Sequence, residues 1–416
     1  MLREILESFD ETVVINEKVS KNIEITKYLL KYPKKPVYFK NVDGYELAGN
    51  IWSTRERISN VLKSKNLLKD LSESIKNPMD YDIVDENPFI KHKDFSLKDL
   101  PIPKFFQGDG SNYITSGIVF SEWNGKRNVS FHRFMVIDEK RAAIRLVPRD
   151  LYRMYNEAQK EGKELKITLV VGSFITFLLA AATSVDYQMD ESKIASSIRF
   201  HTLGNKEKMV KIENIYVPVE SEYIFTGVIT SEKIEREGPF VDITRTYDVK
   251  NDQPIVLFEN MYTIKEPIFH AILPGGYEHY NLMGLPREPT IYNEILREGI
   301  DVLDLKLTEG GCSWLHCVIK IRKKNKDDGK RALMAAFRGH KSLKHTVVVD
   351  DDINIDNMED VEWAIATRFQ GDRDMIMLKE RGSSLDPSSY PGDITTKIGI
   401  DATKKGENKE KYERVF

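Results

Sequence analysis

Cysteine is nearly absent: Cys312 and Cys317 are the only two in 416 residues. That excludes a disulfide framework. No second ligand pair follows at finger spacing, which excludes a structural zinc site as well. Both read as reduced thiols that serve packing in a cytoplasmic protein. An excess of charge of one sign is also lacking. The formal net charge is −3, which argues against a general nucleic-acid partner. Long apolar runs are lacking with one exception, Ile167 to Val185, which carries no charge and approaches the length of a membrane span. Its first part is β-branched and ends at Gly172-Ser173, and a separate helical run follows from Phe174 to Ala182. A strand, a turn and a buried helix are therefore expected, not a span. The N-terminal Met1 to Phe9 stretch contains acids and no apolar core. It reads as an amphipathic helix and not a signal peptide. No internal repeat is visible.

What is present is ample core material. Hydrophobic residues make up 41% of the chain and charged residues 31%, with Lys and Glu prominent. The first figure excludes global disorder, and the second is compatible with a thermophile's surface. The length implies two or three domains. The N-terminal hundred residues mix helical periodicity with short strands such as Val37 to Lys40, closed by an Asp43-Gly44 turn. Asp99-Leu100-Pro101-Ile102-Pro103 reads as a linker and a candidate hinge. The middle of the chain is strand-rich. Tyr113 to Glu122 alternates, Asn124-Gly125 marks a hairpin, and Asn128 to Ile137 returns. Beyond about residue 300, strand–helix–strand–helix order implies an α/β domain. The expected divisions are 1–105, 106–300 and 301–416. The Asp350-Asp351-Asp352 run lacks the Gly and Glu of a calcium loop, so it reads as a turn before the Met358 to Arg368 helix.

Three segments could carry chemistry. Glu237-Gly238-Pro239-Phe240-Val241-Asp242 holds two carboxylates on a stiff turn, where paired acids can divide proton work. In the strand around Asn128-Val129-Ser130-Phe131-His132-Arg133, Asn128, Ser130 and His132 face one way and Phe131 and Arg133 the other. It is either an exposed hairpin edge or a cofactor wall. Glu220 and Glu222 at the entrance of the Tyr223-Ile224-Phe225 strand are solvated acids or hard-oxygen metal ligands. Lys397 beside Gly399 and Thr403 could meet a phosphate.

Taken in order, these segments resemble the UbiD family of decarboxylases, which use prenylated FMN. Asn128 to Arg133 is similar to the family's Asn-x-x-x-x-Arg strand. Pro218 to Gly227 resembles its Pro-Ala-x-x-Glu-Ile-Val-x-x-Gly element, with Val219 departing. Glu237 to Asp242 matches its Glu-Gly-Pro turn. Glu309 to Ser313, Asp350 to Arg368 and Lys397 to Thr403 resemble its C-terminal elements. The resemblance spans about Gly110 to Thr403. It implies an α+β fold, with a central split β-barrel that binds the flavin. An N-terminal α/β domain and a C-terminal α/β oligomerisation domain would flank it.

The resemblance also implies roles. Asn128 and Glu222 would hold a divalent ion, commonly Mn2+, with K+ as a possible second cation. A third metal ligand would fall at Asp150, or at Arg149 by a shifted alignment. Arg133 would sit between Glu237 and Asp242. Phe131, His132, Arg133, Arg145, Leu146, Val147 and Arg149 would line the flavin, and Lys397 would lie near its phosphate. The flavin would come from a flavin prenyltransferase.

Loss of CO2 from an alkenoic or aromatic acid leaves charge in an orbital that no side chain can delocalise, so a cofactor must supply the electronics. Arg133 is expected to pair with the substrate carboxylate or Glu237, and Asp242 to be the proton donor. The compact, Lys/Glu-heavy chain is similar to archaeal members of the family. The lead expectation is therefore a phosphorylated alkenoic acid of an isoprenoid route, with His132, Arg287, His340 and Lys341 as phosphate candidates. The alternatives are an aromatic hydroxybenzoate-type acid and a non-catalytic flavin- or metal-binding protein.

Overall fold

The computed structural model describes residues 1–187, 189–248, 250–406 and 410–415, and of 232–235 the backbone alone. The chain divides into two compact units, Met1–Leu282 and Met283–Phe416.

The first unit is built on a closed barrel. Its strands run in the order Ser221–Glu237, Leu165–Ser173, Tyr113–Trp123, Lys126–Val136, Arg141–Ile144 and Asn251–Thr263. The last closes antiparallel onto the first, from Tyr223 opposite Thr263 to Glu237 opposite Asn251. Every neighbouring pair is antiparallel. The hairpin between Tyr113–Trp123 and Lys126–Val136 turns at Asn124 and Gly125, both at positive φ, as a two-residue Asn-Gly loop requires. A register shift at Thr226/Gly227 bends the closing strand. A Cβ at Gly227 would stand 2.1 Å from the Leu257 carbonyl oxygen, so only glycine allows this approach.

Alternation fills the barrel with Val119, Phe134, Leu169, Phe225 and Phe258, all at most 1% exposed. Burial of each such side chain contributes roughly 1.5–3 kcal/mol. The uncharged 167–185 stretch resolves into the Leu165–Ser173 strand and the buried Ile175–Ala181 helix. Among the described residues no helix is long and apolar enough to cross a membrane.

Beside the barrel lies a smaller sheet of Val13–Ile15, Val37–Val42, Tyr45–Gly49 and Ile268–His270. Helices Arg55–Val61 and Leu67–Lys76 start at Thr54 and Asn66, whose side chains accept from Arg57 N and Lys69 N. The proline-marked 99–105 segment is not an open linker. Leu100, Ile102 and Phe105 are buried, and Ile23 N donates to Lys104 O at 2.8 Å.

The second unit is a five-stranded mixed sheet in the order Asp301–Leu307, His316–Arg322, His345–Val349, Ile394–Asp401 and Met375–Arg381. Helices Asp328–Gly339 and Met358–Arg368 belong to it. The triple aspartate lies at a turn before the Met358–Arg368 helix, as expected, and its first and last members also clamp an arginine. Buried Arg368 donates to Asp350 at 3.2 Å and to Asp352 at 2.7 and 3.0 Å. Cys312 is half-buried and Cys317 buried, and neither is in a disulfide.

Candidate active site

The Lys126–Val136 strand carries Arg133 into a nest of three carboxylates. Its Nε and Nη2 donate to Glu237 Oε1 and Oε2, each at 3.0 Å. Nη1 donates to Asp242 Oδ2 at 2.8 Å, and Nη2 also reaches Asp248 Oδ2 at 2.9 Å. Burial opposes the Arg133 charge, but Glu237, Asp242 and Asp248 outweigh it and hold the guanidinium protonated far above neutrality. The Phe240 ring lies 4.4 Å from the guanidinium carbon. Burial, with Glu237 next, pushes the nearby Tyr113 phenol well above its ordinary range.

Glu237 ends the long barrel strand, and the chain then passes a cis Gly238-Pro239 bond. Phe240–Val241 and Tyr247–Asp248 pair as a two-stranded ribbon. That ribbon places Asp248 next to Asp242, and the sequence reading did not include Asp248. Gly110 packs against the bend. A Cβ there would lie 2.3 Å from Gly238 O, and Gly110 N donates to Pro239 O at 2.8 Å. The two acids of the hexapeptide differ in access: the Glu237 side chain is 0% exposed and that of Asp242 15%.

His279 also joins the cluster unannounced by the sequence. It lies on helix Tyr277–Gly284, and its Nδ1 accepts from Gly275 N at 3.1 Å. Burial lowers its pKa first, while Asp242 opposes that shift and Arg133 adds to it, which puts His279 within electrostatic reach of both.

Further along the hairpin, Asn128 meets an acid other than the expected one. Asn128 Nδ2 donates to Glu191 Oε1 at 3.1 Å, and Val129 N donates to Glu191 Oε2 at 2.8 Å. Glu222 lies elsewhere. Its two oxygens accept from Leu2 N at 2.8 Å and from Ile268 N at 3.0 Å. It also sits at the Gly172–Ser173 end of the neighbouring strand, whereas Asn128 lies across from Ser121, which faces Ile167. The pairing of Asn128 with Glu222 is therefore corrected to Asn128 with Glu191. Glu222 is a buried bracket for two backbone amides.

Glu191 opens helix Glu191–Leu203 behind the Asp190 cap. Burial, with Asp190 and Asp150 adding like charge, pushes its carboxyl up to about 8 although Val129 N opposes this. A buried carboxylate under that strain is suited to a cation. The neighbouring oxygens agree. Ser130 Oγ lies 2.7 Å from Asn128 Oδ1 and 2.9 Å from His132 Nε2, while His132 Nδ1 lies 3.0 Å from Arg145 O. Burial lowers His132 to about 4, so near neutral pH its Nδ1–H donates to Arg145 O and its Nε2 accepts. The single Ser130 proton cannot serve both His132 and Asn128 Oδ1, which leaves an oxygen for a cation. Asn128 and Glu191 thus fit a hard divalent ion. Among the described residues no three His, Cys, Asp or Glu side chains form a ready metal cage, so the remaining ligands would come from the cofactor or solvent. Asp150 is within electrostatic reach of Glu191.

The other expected flavin contacts adjoin this face. Arg145 N donates to Arg133 O at 3.1 Å, and Leu146 N donates to Gln253 Oε1 at 2.8 Å. Val147 is exposed, and Arg149 precedes helix Asp150–Lys160. In the second unit, Lys397 is fully buried with its Nζ on Lys341 O at 2.7 Å and Glu380 at 2.8 Å. Arg287 and His340 pack on Trp314 there.

A closed barrel that carries a buried arginine–carboxylate network beside a buried Asn–Glu pair is the setting of a candidate enzyme site. Three family profiles cover the chain. They are the N-terminal, Rift-related and C-terminal domains of 3-octaprenyl-4-hydroxybenzoate carboxy-lyase, over residues 3–75, 80–277 and 280–402. The chain belongs to the UbiD family. It is 40% identical to an anhydromevalonate phosphate decarboxylase of Methanocaldococcus jannaschii, covering 100% of this chain and 99% of that one. It is 39% identical to the protein of the same name from Methanothermobacter thermautotrophicus, over 98% and 97%. Among solved structures it is similar to the UbiD-class enzyme HmfF of Pelotomaculum thermopropionicum in complex with FMN. The TM-score is 0.94 at 32% identity, with 100% and 97% of the chains covered.

Proposed function

We propose that this protein is a non-oxidative decarboxylase that converts trans-anhydromevalonate 5-phosphate to isopentenyl phosphate and CO2, using prenylated FMN and a divalent cation. Its full-length similarity to anhydromevalonate phosphate decarboxylases supports the substrate. The prenylated flavin, supplied by a flavin prenyltransferase, would provide the electron sink that decarboxylation of an alkenoic acid needs. Phe131, His132, Arg133, Arg145, Leu146, Val147 and Arg149 would border it. Asn128 and Glu191 would hold the divalent ion, Mn2+ by family resemblance.

The observation that carries the mechanism is the unequal access of Glu237 and Asp242, the two hexapeptide acids among the three carboxylates around Arg133. Glu237 is wholly enclosed and is gripped in bidentate fashion by the Nε–Nη2 edge of the guanidinium. Its role is to fix Arg133. Asp242 has one bond to Arg133 and an exposed edge. Asp242 is therefore the group that can deliver a proton to the carbon that has lost CO2. In that role Asp242 gives a proton to the carbon as the new C–H bond forms and takes one back from solvent before the next turnover. Arg133 keeps that carboxyl in place and offers positive charge to the substrate carboxylate.

The test is direct. The protein is co-expressed with a flavin prenyltransferase and assayed with the phosphorylated acid and with a hydroxybenzoate. Conversion of the phosphorylated acid is expected. No conversion of it would defeat the substrate assignment, and hydroxybenzoate turnover would move the function to aromatic acids.

A further inference from the structure

The segment from His270 to Glu278 is closed on itself by a fully buried pair. His270 Nε2 and Glu278 Oε1 are 2.9 Å apart, and both side chains are 0% exposed. The same Glu278 oxygen accepts from Trp52 N at 3.0 Å. Ser116 Oγ donates to His270 O at 2.6 Å, and Ile272 N donates to Thr115 Oγ1 at 3.0 Å, which fastens the segment to the barrel wall. His270 Nδ1 and Glu278 Oε2 have no partner among the described residues. Buried polar atoms without partners are costly, and apolar side chains of similar volume would leave none at these two positions. The pair therefore calls for a purpose other than stability.

Its surroundings supply one. The loop inside the bracket ends at Gly275, whose carbonyl accepts from Arg245 Nε at 2.8 Å. The Arg245 guanidinium carbon lies 5.2 Å from the Tyr280 ring and 5.9 Å from the Tyr277 ring, both on the helix that Glu278 anchors. Arg245 N in turn donates to Asp242 O at 2.9 Å, and Asp242 N donates to Thr246 O at 3.0 Å. Gly275 is at positive φ, and a Cβ on it would meet Arg245 Cγ at 2.7 Å and Asp242 O at 3.3 Å.

We propose that the buried His270–Glu278 pair is a positioning device for Asp242, acting through the Gly275 loop and Arg245. It touches neither substrate nor cofactor. It closes the bracket against which the Asp242 turn rests. The proposal rests on the decarboxylase reading only for its kinetic consequence, because the mechanical consequence is measurable in the protein without cofactor.

The experiment compares three variants with wild type. The paired His270→Leu/Glu278→Met change replaces the hydrogen-bonded pair by apolar side chains. Glu278→Gln keeps both hydrogen bonds without the charge. Arg245→Ala, at an exposed residue, cuts the link from the other end. Hydrogen exchange of the 242–248 amides is followed in apo protein, and kcat and KM are measured in the flavin-loaded enzyme.

The paired variant and Arg245→Ala are expected to exchange faster at 242–248. They should lose kcat by about tenfold to a hundredfold with KM little changed, the scale of a misplaced catalytic group. Glu278→Gln should stay near wild type. Wild-type exchange and kcat in Arg245→Ala would overturn the proposal whether or not the paired variant folds. So would a paired variant that folds and turns over normally. Inactive wild-type holoenzyme would defeat the decarboxylase reading instead, and the exchange measurement would still decide the bracket.

Discussion

Arg133 and Glu237 are joined by two parallel hydrogen bonds of 3.0 Å, one from Nε and one from Nη2. This fork uses the planar geometry that only arginine offers. The Glu237 side chain is fully enclosed, and Arg133 is the cation that faces it, with Tyr113 as a further hydrogen-bond partner.

Arg133→Ala should therefore destabilise the fold as well as stop turnover. Removing one partner of a buried pair leaves the other uncompensated and costs about 3–5 kcal/mol. Denaturant unfolding of the apo protein measures this. A change within error would mean that Glu237 finds other support.

The proposed cation pair, Asn128 with Glu191, makes a contrast between two glutamates. Glu191→Gln should abolish stoichiometric Mn2+ binding. Glu222→Gln should leave Mn2+ binding intact and lower stability by about 1–3 kcal/mol, since it weakens acceptance from Leu2 N and Ile268 N. Metal content and chemical denaturation of both variants check the assignment. Loss of metal from the Glu222 variant alone would restore the pairing expected from the sequence.

Glu191 also predicts a pH dependence. Its carboxyl is raised from 4.5 to about 8 by burial first and then by Asp190 and Asp150. Between those values the folded apo protein binds a proton that the unfolded chain has released. The Glu191 contribution to stability is therefore lost as pH rises through that window. Metal needs the ionised form, so below about pH 8 Mn2+ affinity should rise about tenfold per pH unit. Melting curves with chelator, and metal titrations at several pH values, test both signs against Glu191→Gln. Equal pH slopes in the two proteins would contradict this origin.

The architecture was legible because its local signals agree. Asn124-Gly125 set the hairpin that puts Asn128 and Arg133 on one strand, and the break at Gly172-Ser173 separated strand from helix. The grouping of Arg133, Glu237 and Asp242 was implied by the family resemblance, and the structure brings all three together. Glu191 was not legible. Its Met189-Asp190-Glu191-Ser192 context reads as a helix start, where acids are common for reasons of capping and dipole. Glu222 looked better because it fell in a recognisable motif, but strand register carries it to the other end of the barrel wall. Asp248 and His279 depend on a ribbon pairing and on the approach of a later helix, which no local pattern encodes.

The most direct measurement is single-turnover decarboxylation of trans-anhydromevalonate 5-phosphate by flavin-loaded wild type and Asp242→Asn. CO2 and isopentenyl phosphate should appear in equal amounts from wild type. The Asp242→Asn enzyme should keep its bound flavin spectrum and lose turnover by about a hundredfold or more, as removal of a general acid implies. Near-normal product formation by Asp242→Asn would contradict the account.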